Sequence, residues 1–141
     1  MIILDTDCMS LLQRENMLVG SRLQENLDRF PRDQIYTTII SFEEQMRGWL
    51  AFVARSKTPE QQIYAYEKLH SFLNDYRNAL ILDYDEKAAE VFQNFKAQKI
   101  RVGTMDLKIA AIAVSQNAIL VSRNLSDFLQ IPNLTVEDWT K

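Results

Sequence analysis

Short apolar runs alternate with stretches of helical periodicity along the chain. The apolar runs are typical of buried strands, and they predict strands at residues 1–5, 35–40, 79–82, 118–121 and 134–136. Apolar residues at helical spacing predict helices at residues 9–12, 19–27, 41–55, 59–73, 86–98, 104–116 and 126–129.

This alternation predicts the fold class. Strands that are apolar along their whole length, with helices between them, are typical of a mostly parallel sheet that is covered on both faces. We therefore expect an α/β fold in which residues 1–141 form a single domain, since no repeat or linker interrupts the pattern. Ligands bind such sheets at the carboxyl ends of the strands, so acids at those positions are the candidate functional residues.

Composition narrows the choice of metal ligands. The chain has 141 residues, and 47% of them are hydrophobic, which is enough to bury a sizeable core. One cysteine, Cys8, and one histidine, His70, argue against a zinc site, so any metal would be held by oxygen.

No run approaches the roughly 20 apolar residues of a membrane span and no signal peptide is evident, so we expect a cytoplasmic protein. The net charge of −3 gives no basic signal for nucleic acid.

The first candidate acids follow the first and second strands. Asp5 ends the first strand, where it could be a ligand at the sheet edge or a helix cap, although Asp7 is the better cap candidate. Glu43 and Glu44 fall in the first turn of the helix predicted to begin at Ser41. Ser41 and Glu44 match a capping box, which gives Glu44 a structural alternative, whereas Glu43 flanks the apolar face. The spacing leaves the choice between the two glutamates open.

Asp106 is the acid in GTMDLKIAAIAV, a segment that predicts a helix apolar on nearly every side, with Thr104 as a plausible N-cap. Such a helix packs in the interior, so its first-turn carboxylate would be mounted rigidly and aimed at the sheet edge. An acid that only favours the helix start is an equally good explanation. Asp127 follows the strand at 118–121 and could cap a short helix, and Asn124 could be a turn residue.

Acids from four segments that are predicted at one sheet edge have a shared explanation. Clustered carboxylates repel one another unless a cation neutralises them, and oxygen ligands suit Mg²⁺ or Mn²⁺. Such a site can activate water and stabilise charge on a phosphate. We therefore expect a metal site that hydrolyses a phosphodiester.

Four segments, in order, carry a resemblance to a known family: LDTD, SFEEQMRG, GTMDLKIAAIAV and LVSRNLSDFLQIPNLTVEDW. Together they resemble the successive motifs of PIN-domain ribonucleases, in particular the VapC-type toxins of toxin–antitoxin systems. The resemblance implies a three-layer α/β/α sandwich with a central, mostly parallel sheet, and a metal-dependent endoribonuclease. The implied catalytic acids are Asp5, Glu44, Asp106 and Asp127, with Asn124 as the alternative at the fourth position. The first three would bind Mg²⁺, which Mn²⁺ can replace.

The resemblance also implies partners: an RNA substrate, a cognate antitoxin and a second copy in a homodimer, with no membrane. The helices of residues 41–76 resemble the clip that members use to dimerise and to receive an antitoxin peptide. Trp49, Tyr64 or Tyr66 would fit that role if exposed, although core packing explains any one of them equally well. Sequence proximity to the acids suggests four substrate contacts: Arg14, Lys108, Arg123 and Asn124.

Two features depart from the family pattern, because Asp7 stands where members often have asparagine and Glu43 adds an acid beside Glu44.

Two other functions fit the same acids. One is a PIN-like partner-binding module with little catalysis, and the other is a nuclease or phosphoesterase that acts on another substrate. RNA cleavage that Asp5→Asn or Asp106→Asn abolishes would distinguish the ribonuclease from the binding module. The sequence identifies neither the RNA target nor the antitoxin.

Overall fold

The computed structural model describes residues 1–14 and 18–141. In chain order, its described elements are β1 (Ile2–Leu4), α1 (Thr6–Gln13), α2 (Leu18–Leu27), a 3-10 turn (Arg32–Gln34), β2 (Ile35–Thr38), α3 (Ile39–Arg55), α4 (Pro59–Arg77), β3 (Ile81–Leu82), α5 (Glu86–Ala97), α6 (Thr104–Ser115), β4 (Ile119–Val121), α7 (Leu125–Phe128) and β5 (Thr135–Glu137). None of these described helices is long and apolar enough to cross a bilayer.

The described strands form one parallel sheet in the order β3-β2-β1-β4-β5. The central strand is β1, in which Ile2 is in register with Ile35 of β2 and Ile119 of β4. The chain builds outward from β1 through β2 to β3, then returns to place β4 on the other side of β1. The strand order therefore switches direction between β1 and β4, which is where open parallel sheets bind ligands.

Helices cover both faces of the sheet, and alternate residues of the central strands supply the two cores. Ile3 and Leu120 pack with α5 and α6 on one face. Ile2, Leu4 and Val121 pack with α1, α2 and α4 on the other. This is the two-residue alternation of a strand buried on both sides. The predicted α/β class and the three-layer α/β/α sandwich are confirmed.

The interior position predicted for the helix at GTMDLKIAAIAV is confirmed. Every residue from Ile109 to Ala113 is at most 1% exposed, and the helix packs closely against α5. The helix begins at Thr104, as predicted, but its N-cap is Gly103 and not Thr104. Asp106 lies in its first turn, so its carboxylate is mounted on one of the most deeply buried elements of the fold.

Two helix starts were predicted wrongly. The third helix begins at Ile39, with Thr38 as its N-cap, because the Thr38 hydroxyl accepts the Ser41 N–H at 3.1 Å. Ser41 therefore lies inside the helix, and the capping box that was the alternative explanation for Glu44 is absent from this described segment. The apolar residues that follow Thr38 continue the strand pattern, which is why the strand was predicted too long.

The first helix begins at Thr6, three residues before its predicted start. Its N-cap is Asp5, whose Oδ1 accepts the Cys8 N–H at 2.8 Å. Asp7, predicted as the better cap, lies in the first turn instead. The helix start therefore coincides with the end of the central strand and fixes the Asp5 carboxylate there.

Candidate active site

Four acids are brought together at the carboxyl edge of the sheet. Asp5 follows β1, Glu44 lies in α3 after β2, Asp106 lies in the first turn of α6, and Asp127 lies in α7 after β4. Burial, and then the charges of Glu44, Asp5 and Asp127, raise the pKa of Asp106 to about 6. Since one charge shifts the pKa of another only at short range, the carboxylates of Glu44, Asp5 and Asp127 lie near that of Asp106.

Asp5 is the most rigidly held of the four. Its side chain is buried, and both oxygens accept hydrogen bonds: Oδ1 from the Cys8 N–H at 2.8 Å and Oδ2 from the Ser122 hydroxyl at 2.6 Å. Burial raises the pKa of Asp5, while the hydrogen bonds from Ser122 and Cys8 oppose that shift. Each oxygen keeps a second lone pair, so the carboxylate can act both as a helix cap and as a ligand.

The two neighbouring glutamates of α3 have different partners. Oε1 of Glu44 accepts a 2.6 Å hydrogen bond from the Thr6 hydroxyl, which also lies 3.0 Å from Oγ of Ser41. Glu43 instead forms an ion pair with Arg47, one turn further along the same helix. The structure therefore places Glu44 beside the residue that follows Asp5, whereas Glu43 pairs along the outside of its own helix.

The segment after β4 links the fourth acid to the first. Ser122 donates to Asp5 and accepts the Asn124 N–H at 2.9 Å. The Asn124 side-chain amide in turn donates to Oδ2 of Asp127 at 3.0 Å. Asp127 lies within α7 and is not its cap. Between the two candidates for the fourth position, Asp127 presents the carboxylate and Asn124 orients it.

The cations predicted to contact substrate have other described neighbours. Nε and Nη2 of Arg123 donate to Oδ2 and Oδ1 of Asp7 at 2.7 and 3.0 Å, and Asp7 raises the pKa of that guanidinium. The Lys108 ammonium lies 5.8 Å from the ring centroids of Tyr84 and Phe92. Arg14 follows α1 and lines a cavity beside α3. These three cations are therefore distributed around the acids and not gathered on them.

The aromatic residues predicted for the clip differ in exposure. Tyr64 and Tyr66 of α4 are 52% and 59% exposed, whereas Trp49 of α3 is half-buried and contacts Phe52 edge to face. The two tyrosines therefore remain candidates for a partner surface. Trp49 belongs to the packing between α3 and α4.

The donor set fits a magnesium-type cation in its chemistry. It consists of carboxylate oxygens, the ligands that Mg²⁺ and Mn²⁺ prefer. Burial is the main cause of the raised pKa of Asp106, and the neighbouring carboxylates add a smaller repulsion that a cation would relieve. Across residues 1–14 and 18–141, however, no three His, Cys, Asp or Glu side chains are arranged so that they could hold a metal ion. The acids therefore lie near one another in the described part of the chain without the arrangement of a formed ion site.

Sequence reasoning missed two hydroxyl residues of the site. Thr6 directly follows Asp5, and Ser122 directly follows the last residue of β4. Thr6 donates a 2.6 Å hydrogen bond to Glu44, and Ser122 donates one of the same length to Asp5. Their positions after the two central strands were a signal that could have been used. Hydroxyl groups at a site edge support acidic ligands by orienting them.

The chain is similar over nearly its whole length to VapC ribonucleases in sequence and to VapBC complexes in structure. Ribonuclease VapC1 of Haemophilus influenzae (strain R2866) is 31% identical over 140 residues, which cover 98% of this chain and 97% of that protein. The solved structure of VapBC-1 from nontypeable Haemophilus influenzae is similar with a TM-score of 0.71 at 28% identity and covers 100% of both chains. VapBC2 from Rickettsia felis, bound to a DNA fragment from their promoter, gives a TM-score of 0.70 at 27% identity over 99% of both chains. No family model matches the chain.

Proposed function

Because the chain belongs to the VapC family of ribonucleases, we propose that it is a metal-dependent endoribonuclease that hydrolyses RNA phosphodiester bonds as the toxin of a toxin–antitoxin pair. The observation that carries the proposal is the placement of the acids in the fold: Asp5 after β1, Glu44 in the helix after β2, Asp127 after β4 and Asp106 in the first turn of α6. Four acids from separate segments meet at the edge where the strand order reverses, which is the position a hydrolytic site would occupy.

In this proposal Asp5, Glu44 and Asp106 hold the cation, and Mg²⁺ is the natural ion for such ligands. When bound, the ion would make water more acidic and offset negative charge on the phosphate. Asp127 would act from further out, through the amide of Asn124 and the waters of the site. Burial raises the pKa of both Asp5 and Asp106, so the protonation of these two ligands lowers the charge of the set.

The neighbouring hydroxyls supply the positioning. Thr6 would fix the Glu44 carboxylate, so that its other oxygen is left to orient the attacking water. Ser122 and the Cys8 N–H hold Asp5 in one orientation, which limits the reorganisation needed when the cation binds. The chain would thus contribute orientation and a cluster of negative charge, while the cation would contribute the activation of water.

We further propose a cognate antitoxin and a second copy of the chain as partners. The solved relatives are VapBC complexes, and antitoxin binding is carried over from them to this chain. For the second copy, the support is on the outer side of α4, where Ile63, Tyr66 and Leu73 are 62%, 59% and 52% exposed. Large apolar side chains exposed along one helix are typical of an interaction surface.

The experiment is cleavage of a broad RNA panel by the purified chain, with and without Mn²⁺ or Mg²⁺. Wild type should cleave some RNA only when the metal is present, and Asp5→Asn and Asp106→Asn should abolish cleavage. Asp33→Asn is the matched control, because Asp33 is an exposed acid in the turn before β2, at the opposite edge of the sheet.

The two other functions would produce different results. Identical behaviour of wild type and Asp106→Asn on the whole panel would refute the ribonuclease and favour the binding module. Faster turnover of DNA or of a simple phosphoester than of RNA would show that the site acts on another substrate.

A further inference from the structure

A cavity of about 810 Å³ lies beside the acids, between the end of α1 and the helices α3 and α4. We call it the α3 groove and define it by five of its lining residues: Arg14, Gln45, Gly48, Phe52 and Lys68. It is linked to the proposed active site through Ser10, which lines it and donates to the carbonyl oxygen of Thr6, the residue whose hydroxyl donates to Glu44. The α3 groove itself contains none of the four acids.

Gly48 lines the groove without a side chain. It lies in the middle of α3 without a positive φ, so the backbone does not require glycine there. A Cβ at this position would meet no described atom within 4 Å, so packing does not require glycine either. Glycine inside a helix costs about 1 kcal/mol relative to alanine. This cost is explained if something outside the chain approaches the backbone of α3 closely at Gly48.

One face of α3 connects the acids to the groove. Glu44, Gly48, Phe52 and Arg55 follow at spacings of four, four and three residues, which places them on one side of the helix. At a rise of 1.5 Å per residue this line is about 16 Å long. A strand that reached Glu44 with its scissile phosphate could therefore continue along the groove for more than one nucleotide.

The chemistry of the groove favours a single-stranded nucleic acid over a peptide. Arg14, Arg55 and Lys68 line it together with one acid, Asp75. Trp49 and Phe52 add aromatic rings, and no aliphatic side chain is among the described residues that line it. Cations beside aromatic rings are the features that bind single strands, through phosphate contacts and base stacking, and the three cations outnumber the one acid, as a phosphate backbone requires.

A network of amides and hydroxyls fixes the floor of the groove. Gln45 Nε2 donates to Oγ of Ser10 and to Oε1 of Gln13, both at 2.9 Å. Gln45 Oε1 accepts from the buried hydroxyl of Tyr76 at 2.7 Å. Ser10 donates to the carbonyl oxygen of Thr6, the residue that holds Glu44. The floor is therefore preformed and continuous with the positioning residues of the site.

We infer that the α3 groove is an RNA subsite that binds the nucleotides on one side of the scissile phosphate by stacking and by phosphate contacts. This inference rests on the proposed ribonuclease function but concerns binding and not the chemical step. It assigns Gly48 the role of admitting the strand, and Lys68 and Arg14 the role of contacting its backbone.

The test is equilibrium binding of a short, fluorescein-labelled, single-stranded RNA of mixed sequence, followed by anisotropy in EDTA so that metal-dependent cleavage is absent. Gly48→Leu should weaken binding about tenfold or more, as expected for the loss of one stacked base. Ala54→Leu is the matched control, because it adds the same side chain to an exposed position of α3 turned away from the groove. It should bind as wild type does.

A second pair of variants keeps the inference testable if Gly48→Leu folds poorly. Lys68→Gln should make log Kd less dependent on log salt, by about 0.7 for one lost phosphate contact to a single strand. Lys96→Gln is its control. The Lys68 ammonium lies 5.4 Å from the Tyr64 ring centroid, and the Lys96 ammonium lies at a similar 5.6 Å from the Phe92 centroid, but on α5. Its salt dependence should equal that of wild type.

The outcomes separate this inference from the proposed function. Weaker RNA binding by Gly48→Leu supports the subsite even if Mn²⁺ elicits no cleavage. Unchanged RNA binding by a folded Gly48→Leu overturns the subsite even if cleavage is metal-dependent. Loss of binding to a purified cognate antitoxin without loss of RNA binding would also overturn it, because the groove would then belong to the protein partner.

Discussion

The Thr6 hydroxyl donates a 2.6 Å hydrogen bond to Oε1 of Glu44, across 38 residues of sequence. This contact joins the start of α1 to the second turn of α3, and it distinguishes two adjacent glutamates that helical spacing could not separate. Glu43, paired with Arg47, lies on the outside of its helix. In our account Thr6 is a positioning residue, because it acts on the site through Glu44.

Replacing Thr6 with valine tests that role. Thr6→Val keeps the shape of the side chain but removes the donor, so Glu44 would lose its fixed orientation. We expect kcat for metal-dependent RNA cleavage to fall about tenfold, the lower end of the range for the loss of a residue that supports a metal ligand. Thr6→Ser should restore most of the rate, which a purely structural defect would not allow. Equal kcat for wild type and Thr6→Val would contradict the assignment.

Removing the Ser122 hydroxyl should lower stability. Ser122 is fully buried, donates to Asp5 and accepts the Asn124 N–H, so Ser122→Ala leaves two buried polar groups without this partner. The expected loss in the free energy of unfolding is about 1–3 kcal/mol, measured by urea denaturation in EDTA. Ser126→Ala, at an exposed position of α7, should change stability by much less. A loss of the same size in both variants would argue against a special role for Ser122.

The raised pKa of Asp106 predicts a pH dependence of the metal-free protein. The pKa is about 6 in the folded chain against 3.8 as its reference value, so the folded state binds the proton more tightly. The free energy of unfolding should therefore fall as pH rises from the lower to the higher of these two pKa values. Above the higher value the whole loss of stability should be present. Allowing for partial exposure of Asp106, the cost is on the order of 1 kcal/mol near neutral pH.

Asp106→Asn removes this cost and isolates it from other acids. The free energy of unfolding of the variant minus that of wild type, in EDTA, should increase between about pH 4 and about pH 7. Saturating Mn²⁺ should reverse the sign near neutral pH, because only wild type keeps the full ligand set. A difference that stays constant with pH would show that Asp106 titrates normally in the folded chain.

The ion pair between Asp7 and Arg123 predicts an effect on RNA affinity. Both side chains are partly exposed, 46% and 41%, so the pair contributes little to stability. Asp7→Asn should release Arg123 to contact phosphate, which strengthens RNA binding several-fold and steepens the salt dependence of log Kd by about 0.7. The double variant Asp7→Asn with Arg123→Gln should lose the added salt dependence. Unchanged RNA binding by Asp7→Asn would remove Arg123 from the substrate contacts.

The strands and the buried helix could be predicted because they depend on local apolar pattern. The residues before Asp5 and those after Gly103 are apolar over almost their whole length, and this pattern is sufficient to indicate that both segments are buried. The starts of α1 and α3 could not, because they are set by the side chains of Asp5 and Thr38, each of which accepts a backbone N–H three residues ahead. An apolar residue after such a cap fits a strand or a buried helix equally well.

Asp5, Glu44 and Asp127 were candidates because of their places after strands, and Asp106 because it begins an apolar helix, but the hydrogen-bond partners of these acids could not be predicted. The bond from Ser122 to Asp5 spans 117 residues, and that from Arg123 to Asp7 spans 116. Such contacts exist only because β4 pairs with β1, and the order of strands is not readable from any one segment. The substrate roles predicted for Lys108 and Arg123 rested on nearness to the acids in sequence. In the structure Lys108 lies near the rings of Tyr84 and Phe92, and Arg123 pairs with Asp7.

The most direct measurement is a crystal of the chain soaked in Mn²⁺, with anomalous diffraction used to locate the ion. Our account predicts one anomalous peak in contact with the carboxylates of Asp5, Glu44 and Asp106, with these side chains closer together than in the metal-free protein. Mn²⁺ bound away from these three residues, or no peak at a concentration that supports full RNA cleavage, would contradict it.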